Sequence, residues 1–306
     1  MDSVTQPIIA LAGATGDLGG RICKALVGRG ASVRALARPS AAEHDVARIA
    51  ALGATVVRAE ANDEAAMAAA LEGAACVVSA LNGLREVIVG RQGVLLRAAV
   101  RAGVPRFIPS DFSADFTKTR PGDNRNLDLR REFMALADRV PIRVTSILNG
   151  AFMDMLGREM PVIQPGIHRV LYWGDAGQPL DFTTKDDVAA YAAAAAMDDA
   201  APRILRIAGE SASARDLAAA MTEVTGERYR TLWAGTIGTL GAMIRVARLV
   251  APQPGAAFPP WQGMQYMRDM FSGRGQLQPL DNGRYPGVGW TSIRQLLLAR
   301  KQNPPS

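Results

Sequence analysis

The first half of the chain repeats one pattern. A short apolar run is followed by a glycine or polar break, then by a longer stretch whose apolar positions recur every three to four residues. The runs PIIALAG (from Pro7), SVRALAR (from Ser32), TVVRAE (from Thr55), ACVVSAL (from Ala75), RFIPSDF (from Arg106) and IRVTSIL (from Ile142) predict six strands. The stretches between them, GGRICKALVGRG, AAEHDVARIAALG, DEAAMAAALEG, GRQGVLLRAAVRAG and REFMALADR, predict helices. Gly28 and Gly30 close the first, Gly53 closes the second, and Asn62 or Asp63 caps the third. Strands alternating with helices of this length predict an α/β fold with a doubly wound parallel sheet.

The pattern changes after Asn149. A short helix and turns lead to an alanine-rich helix, KDDVAAYAAAAAMDDA, then a strand ILRIAG and a helix SARDLAAAMTEVTG. From Thr231 the chain is richer in Met, Trp, Tyr and Pro. We therefore expect residues 1–150 to form a dinucleotide-binding domain. Residues 151–306 are expected to contribute late sheet elements and a smaller substrate-binding lobe over the carboxyl end of the sheet. The terminal KQNPPS is expected to fray.

Composition narrows the class. The chain has 306 residues, 48% of them hydrophobic, which suits a globular protein. No apolar run is long enough to span a membrane, and the start MDSVTQPIIALAG lacks the charged flank of a signal peptide, so a cytoplasmic protein is expected. Cys23 and Cys76 read as small buried apolar residues, and with only two histidines and no CxxC no metal site is expected. The net charge of +6 comes almost wholly from scattered arginines, with four lysines in all. No basic stripe interleaved with aromatics points to nucleic acid. The mild positive field suits an anionic dinucleotide.

Candidate chemistry begins with GATGDLG, Gly13 to Gly19, set between the first strand and the first helix. Gly13 suits the tight turn, Gly16 a close approach to a pyrophosphate, and Gly19 the packing of helix on strand. The helix N-terminus adds N–H groups and a positive dipole end. The second strand ends in ALARPS, where an NAD-binding chain carries Asp or Glu. Arg38, with Ser40 as a second donor, would instead pair with a 2′-phosphate, so NADP(H) is the expected cofactor.

The GxxGxxG spacing, Arg38, AGVPRFIPSDF (Ala102 to Phe112) and NGAFMD (Asn149 to Asp154) together resemble the NmrA-like and isoflavone-reductase-like families of atypical short-chain dehydrogenases. The resemblance implies a Rossmann domain, NADP(H) and a cleft under a small C-terminal lobe. It also implies that Gly13, Thr15, Gly16, Asp17, Leu18 and Gly19 line the pyrophosphate. Ala80, Leu81 and Asn82 would border the adenosine or ribose. Ser110, Asp111 and Phe112 would lie beside the nicotinamide ribose. Asn149, Gly150, Ala151 and Phe152 would flank the nicotinamide, Phe152 also meeting substrate.

The chain departs from these families at the proton donor. Their helical lysine is replaced by Asp128 when NRNLDLRREF is aligned on its double arginine, or by Arg130 when counted back from Pro141. No tyrosine has a lysine four residues later, so the Tyr-xxx-Lys pair is absent as well. Lys118, Arg130 and Asp111 remain as candidate catalytic groups, although arginine stays protonated and serves better as a clamp. Trp261, Met264 and Met267 recur near helical spacing, as either a core face or an adaptable lid over an apolar substrate. Two functions fit. One is an NADPH-dependent reductase of a small aromatic, enone or carbonyl substrate. The other is a non-catalytic NADP(H)-binding redox sensor acting on a protein partner. A homodimer is compatible with both.

Overall fold

The computed structural model describes residues 6–157 and 159–302. The expected fraying beyond Gln302, and the first five residues of the leader reading, lie outside them. In chain order the elements are β1 (Ile8–Ala12), α1 (Asp17–Gly28), β2 (Ser32–Ala37), α2 (Glu43–Ala51), β3 (Thr55–Arg58), α3 (Glu64–Leu71), β4 (Cys76–Ser79), α4 (Gln92–Arg101), β5 (Arg106–Ile108), α5 (Arg125–Ala137), β6 (Arg143–Val144), β7 (Ser146–Leu148), β8 (Ala151–Phe152), β9 (Ile163–Gln164), β10 (Arg169–Tyr172), β11 (Leu180–Thr183), α6 (Lys185–Ala196), β12 (Ile204–Arg206), β13 (Glu210–Ala212), α7 (Ala214–Thr225), β14 (Arg230–Trp233), α8 (Ile237–Val250), α9 (Pro260–Phe271) and α10 (Ile293–Gln302).

The chain forms two compact units that interleave along the sequence. The first runs to Asp111 and adds Leu129–Ile147 and Val188–Leu205; the second takes Phe112–Asp128, Leu148–Asp187 and the chain from Arg206. The two are comparable in length, and their segments alternate instead of meeting at residue 150.

The first unit holds a six-stranded sheet in the order β3-β2-β1-β4-β5-β6, every neighbouring pair parallel. This is the doubly wound, Rossmann-type arrangement. A central parallel strand is covered on both faces, so it reads as continuously apolar. Ile9, Leu11, Cys76, Val77 and Val78 are accordingly fully buried. Burial pushes the Cys76 thiol up to about 12, and both cysteines are free and buried, as their apolar setting led us to expect. Phe107 of β5 packs on Phe133 of α5, with ring centroids 6.1 Å apart. A charged residue in this core needs partners. Arg106 finds them at the C-terminus of α6, donating to the carbonyls of Ala195 (2.6 Å) and Ala196 (3.0 Å).

The predicted elements recur with three differences. The helix before β5 starts earlier, as a π-type turn over Glu86–Arg91 that runs into α4. Helix α5 starts at Arg125, because Asn124 Oδ1 accepts from the Leu127 N–H as an N-terminal cap (3.3 Å). The sixth strand breaks at Thr145, whose N–H bonds to Phe107 O; Ser146 then turns to Arg203 O, and β7 pairs with β12.

The second unit carries two small sheets, β14-β10-β9 and β13-β11-β8, packed with α7, α8 and α9 around one apolar cluster. Its largest members include Trp173, Phe182, Tyr229 and Phe271. A full capping box starts α7 at Ser213, and Gly226 in the left-handed region ends it.

Candidate functional site

In the first unit the sheet order reverses at β1 and β4, the point where such sheets bind ligands beyond their strand ends. Gly13 ends β1 with φ +82°, and a Cβ there would sit 2.7 Å from Ala80 O. Only glycine fits. Gly19 is equally constrained, since its Cβ would lie 2.0 Å from Gly13 O as α1 packs on the turn. Gly16 is the N-cap of α1 and no side chain caps that end. The first turn therefore offers its N–H groups and dipole end to an anion. Asp17 turns outward and pairs with Arg21 at 2.8 Å. Arg48, unnoticed in the sequence, braces the turn by donating to Thr15 O at 2.7 Å.

Arg38 follows β2 directly and is exposed, with no ion pair among the described residues. Ser40 is exposed two residues on. Arg58 shapes this segment by donating to Pro39 O and Ala41 O and by pairing with Glu43. At the end of β4, Ser79 is fully buried and its hydroxyl has no partner among the described residues. Ala80 and Leu81 are half-buried and Asn82 is exposed. Ser110 ties the end of β5 to this strand end, its Oγ donating to Leu81 O at 2.6 Å. Its N–H is held by the buried Gln92 side chain at 2.9 Å. Neither Gln92 nor Arg58 carries a motif, which is why sequence reading passed over both.

Asp111 is fully buried. Its Oδ2 accepts from Ser146 Oγ at 2.6 Å. Ser146 Oγ in turn accepts from Arg203 Nη1 at 2.8 Å, and Arg203 donates twice to Asp138. Burial pushes the Asp111 carboxyl up to about 6, against the lowering pull of the Ser146 bond and of the Arg130 and Arg203 charges. Arg130 is buried in the same unit and acts here as a fixed positive charge.

In the second unit Phe112 is buried. The N–H groups of Asn149 and Gly150 both donate to Ser113 O. Gly150 has φ +68°, and its Cβ would lie 2.2 Å from Asp181 O. The Asn149 side chain is fully buried, and neither of its amide atoms has a partner among the described residues. Such a group is costly unless something satisfies it. Ala151 and Phe152 are half-buried in β8, paired with Phe182 and Thr183. The Lys185 ammonium lies 6.0 Å from the Phe152 ring centroid, a second lysine that motif spacing did not single out.

Lys118 does not stand as an open proton donor. Its Nζ donates to Gln276 O and Gln278 O, both at 3.0 Å, and lies 3.6 Å from Asp115. It braces a loop. The lid expectation also changes. Met267, Met270 and Phe271 belong to the core cluster with Met264 packed against it, so this run is a core face. Trp261 is buried between the guanidiniums of Arg125 (4.6 Å) and Arg248 (5.1 Å), and its Nε1 donates to Pro252 O. Among the described residues no His, Cys, Asp and Glu group is arranged to hold a metal, and no helix is long and apolar enough to cross a membrane.

A family model described as the NmrA-like family matches residues 5–235, from before β1 to beyond β14. The chain belongs to the NmrA-like family. No curated protein matches it. Solved structures similar to this NmrA-like chain share its fold at low identity. The protein AtPrR2, solved with NADP+ and (+)pinoresinol, is 21% identical with a TM-score of 0.79, over 96% of this chain and 98% of that one. Leucoanthocyanidin reductase from Vitis vinifera, solved with NADPH, is 18% identical with a TM-score of 0.79, over 95% and 98%. An NADPH-dependent quinone oxidoreductase from Escherichia coli is 20% identical with a TM-score of 0.73, over 96% and 100%.

Proposed function

We propose that this NmrA-like chain is an NADPH-dependent reductase of a small aromatic, enone or carbonyl substrate. The observation that carries the reading is the pairing of an uncapped glycine turn with Arg38. The turn suits a pyrophosphate, the exposed guanidinium suits a 2′-phosphate, and residues 38–42 contain no carboxylate to repel one. Solved relatives of the same fold hold NADP+ or NADPH, which supports the same cofactor here.

Bound NADPH would supply a hydride, and the protein would supply orientation and a proton. Gly13, Gly16 and Gly19 keep the backbone bare against the pyrophosphate. Ser110 and Gln92 hold the ends of β4 and β5 in register. Lys118 is engaged with backbone carbonyls, and an arginine side chain has no acceptor and serves as a clamp. Asp111, with its carboxyl near 6, is then the candidate best suited to exchange a proton at neutral pH.

A sensor reading draws on one observation: neither Asp111, fully buried, nor the braced Lys118 is an open donor. Single-turnover oxidation of bound NADPH by quinones, enones and aromatic aldehydes separates the two. The reductase reading expects saturable oxidation by one class of compound, weakened at low cofactor in Arg38→Ala. Tight binding with no oxidation by any class overturns it in favour of the sensor. Failure to bind either nicotinamide cofactor overturns both.

A further inference from the structure

Helix α7 and the start of β14 border an open groove of about 770 Å³ within the second unit. One wall is a single face of α7, where Arg215, Ala218, Ala219, Thr222 and Glu223 follow the i, i+3, i+4 spacing. The other wall is the chain from Arg228 to Thr231, which leads into β14. Thr222 ties the two walls together, its Oγ1 accepting from the Tyr229 N–H at 3.0 Å. The strand wall is also a sheet edge, because β14 is the outer strand of the sheet β14-β10-β9. The N–H groups of Arg230 and Ala234 turn inward, to His168 O and Tyr172 O. Alternate residues of a ladder point to opposite edges, so Thr231 and Trp233 direct their N–H and C=O groups to the free edge. Those groups have no hydrogen-bond partner among the described residues.

Positive charge lines the same groove. Arg228 and Arg230 are two residues apart in extended chain and stand on one side of it, while Tyr229 between them is buried. Both arginines are exposed, and neither makes an ion pair among the described residues. Arg215 adds a third guanidinium from α7, and its pair with Asp175 is long, 3.9 Å, and exposed. Glu223, the carboxylate in the lining, is taken up by Arg294 at 2.6 Å. Cations on an edge strand often serve to turn other strands away. Here they line a groove beside the edge, and so select for an acidic strand.

We propose that this groove docks an extended acidic peptide, which adds to β14 as a further strand. The peptide main chain would pair with Thr231 and Trp233. Carboxylates on every second residue of the peptide would meet Arg228 and Arg230. Charge decides against a second copy of the chain as the occupant. The strand that a copy would offer, Arg230–Trp233, has no carboxylate for the three guanidiniums. A small polyvalent anion would meet the charges but leave the free edge unpaired. The proposal rests on neither reading of the glycine-turn site, which belongs to the first unit.

The test is fluorescence anisotropy of a short labelled peptide of alternating glutamate and valine, titrated with the full chain. Saturable binding is expected, weakened by salt. The same peptide with lysine in place of glutamate should not bind. N-methylation along the peptide backbone keeps every carboxylate and removes the donors a strand needs, and should weaken binding about tenfold. Arg228→Gln and Arg230→Gln should each weaken it about fivefold, as charge-assisted contacts at an exposed site. Both side chains are exposed, so neither change disturbs packing. A second measurement locates the edge. Amide hydrogen exchange at Thr231 and Trp233 should slow with the acidic peptide and stay unchanged with citrate. No binding, equal binding of the N-methylated peptide, binding indifferent to both arginine variants, or unslowed exchange at Thr231 and Trp233 overturns the proposal. So does equal slowing of that exchange by citrate, or slowing by protein concentration alone, which would make a second copy the occupant.

Discussion

The Ser146 hydroxyl donates to the Asp111 carboxylate at 2.6 Å while accepting from Arg203 at 2.8 Å. A buried acid is thus tied, through one serine, to an arginine paired with Asp138. The bond favours the charged form of Asp111 and opposes the effect of burial. If Asp111 supplies the proton, NADPH oxidation is fastest with the acid protonated and slows as pH rises through about 6. Ser146→Ala removes the lowering bond and should move that inflexion up by about one pH unit. The pH dependence of single-turnover oxidation in the two proteins checks this, and an unmoved inflexion would separate Asp111 from the proton step.

Asp111 is matched in the second unit by Asp269, whose carboxyl burial also pushes up to about 6, against a hydrogen bond from Asn124. Both acids hold a proton in the folded chain at pH values where the unfolded chain has released it. Their contribution to stability is full below about pH 4 and is lost as pH rises through about 6. A displacement of this size corresponds to about 3 kcal/mol per group. Asp111→Asn and Asp269→Asn should each flatten the fall in urea midpoint across that window.

Arg38→Ala should weaken NADPH binding by about thirtyfold and leave NADH within about twofold, since a charge-assisted contact to the 2′-phosphate contributes about 2 kcal/mol. Titration of both cofactors into both proteins measures it. Equal losses for the two cofactors would mean that Arg38 does not reach a phosphate.

The Lys118 ammonium bridges Gln276 O and Gln278 O, so Lys118→Ala should expose the loop around those residues to protease. The inflexion of the oxidation pH profile should stay in place. Lys185→Met, beside Phe152, is the informative partner variant. A change in pH profile there, with Lys118→Ala silent, would transfer the expected lysine role to Lys185.

Gly150→Ala should destabilise the protein by about 3 kcal/mol or more, because φ +68° and a Cβ 2.2 Å from Asp181 O act together. Gly122 has φ +85° with nothing within 4 Å of its Cβ, and Gly122→Ala should cost only about 1 kcal/mol. The difference in urea midpoint between the two variants isolates the close approach from the backbone conformation.

Local signals made the first unit legible. Alternating strands and helices, the glycines at 13 and 19, and the RFIPSDF strand end are each a short-range pattern with a physical cause. The site's supports were not legible, because their causes are long-range. Gln92 reaches Ser110 across 18 residues and Lys118 reaches Gln276 across 158. Met267 could be read as lid or core from spacing alone, and only packing with Trp173 and Phe271 in one cluster decides it. The interleaving of the units was also hidden, since Phe112–Asp128 carries no composition shift that marks its departure from the sheet.

That interleaving has a consequence for inheritance. A gene fragment encoding residues 1–150 would lack Val188–Leu205, and with it the α6 carbonyls that satisfy the buried Arg106. The glycine-turn half therefore cannot be cut out, fused or traded between relatives at a single crossover. Recombinants of this chain should survive only when several exchanges are made together, so its descendants would diversify by point changes within the second unit more readily than by shuffling whole lobes.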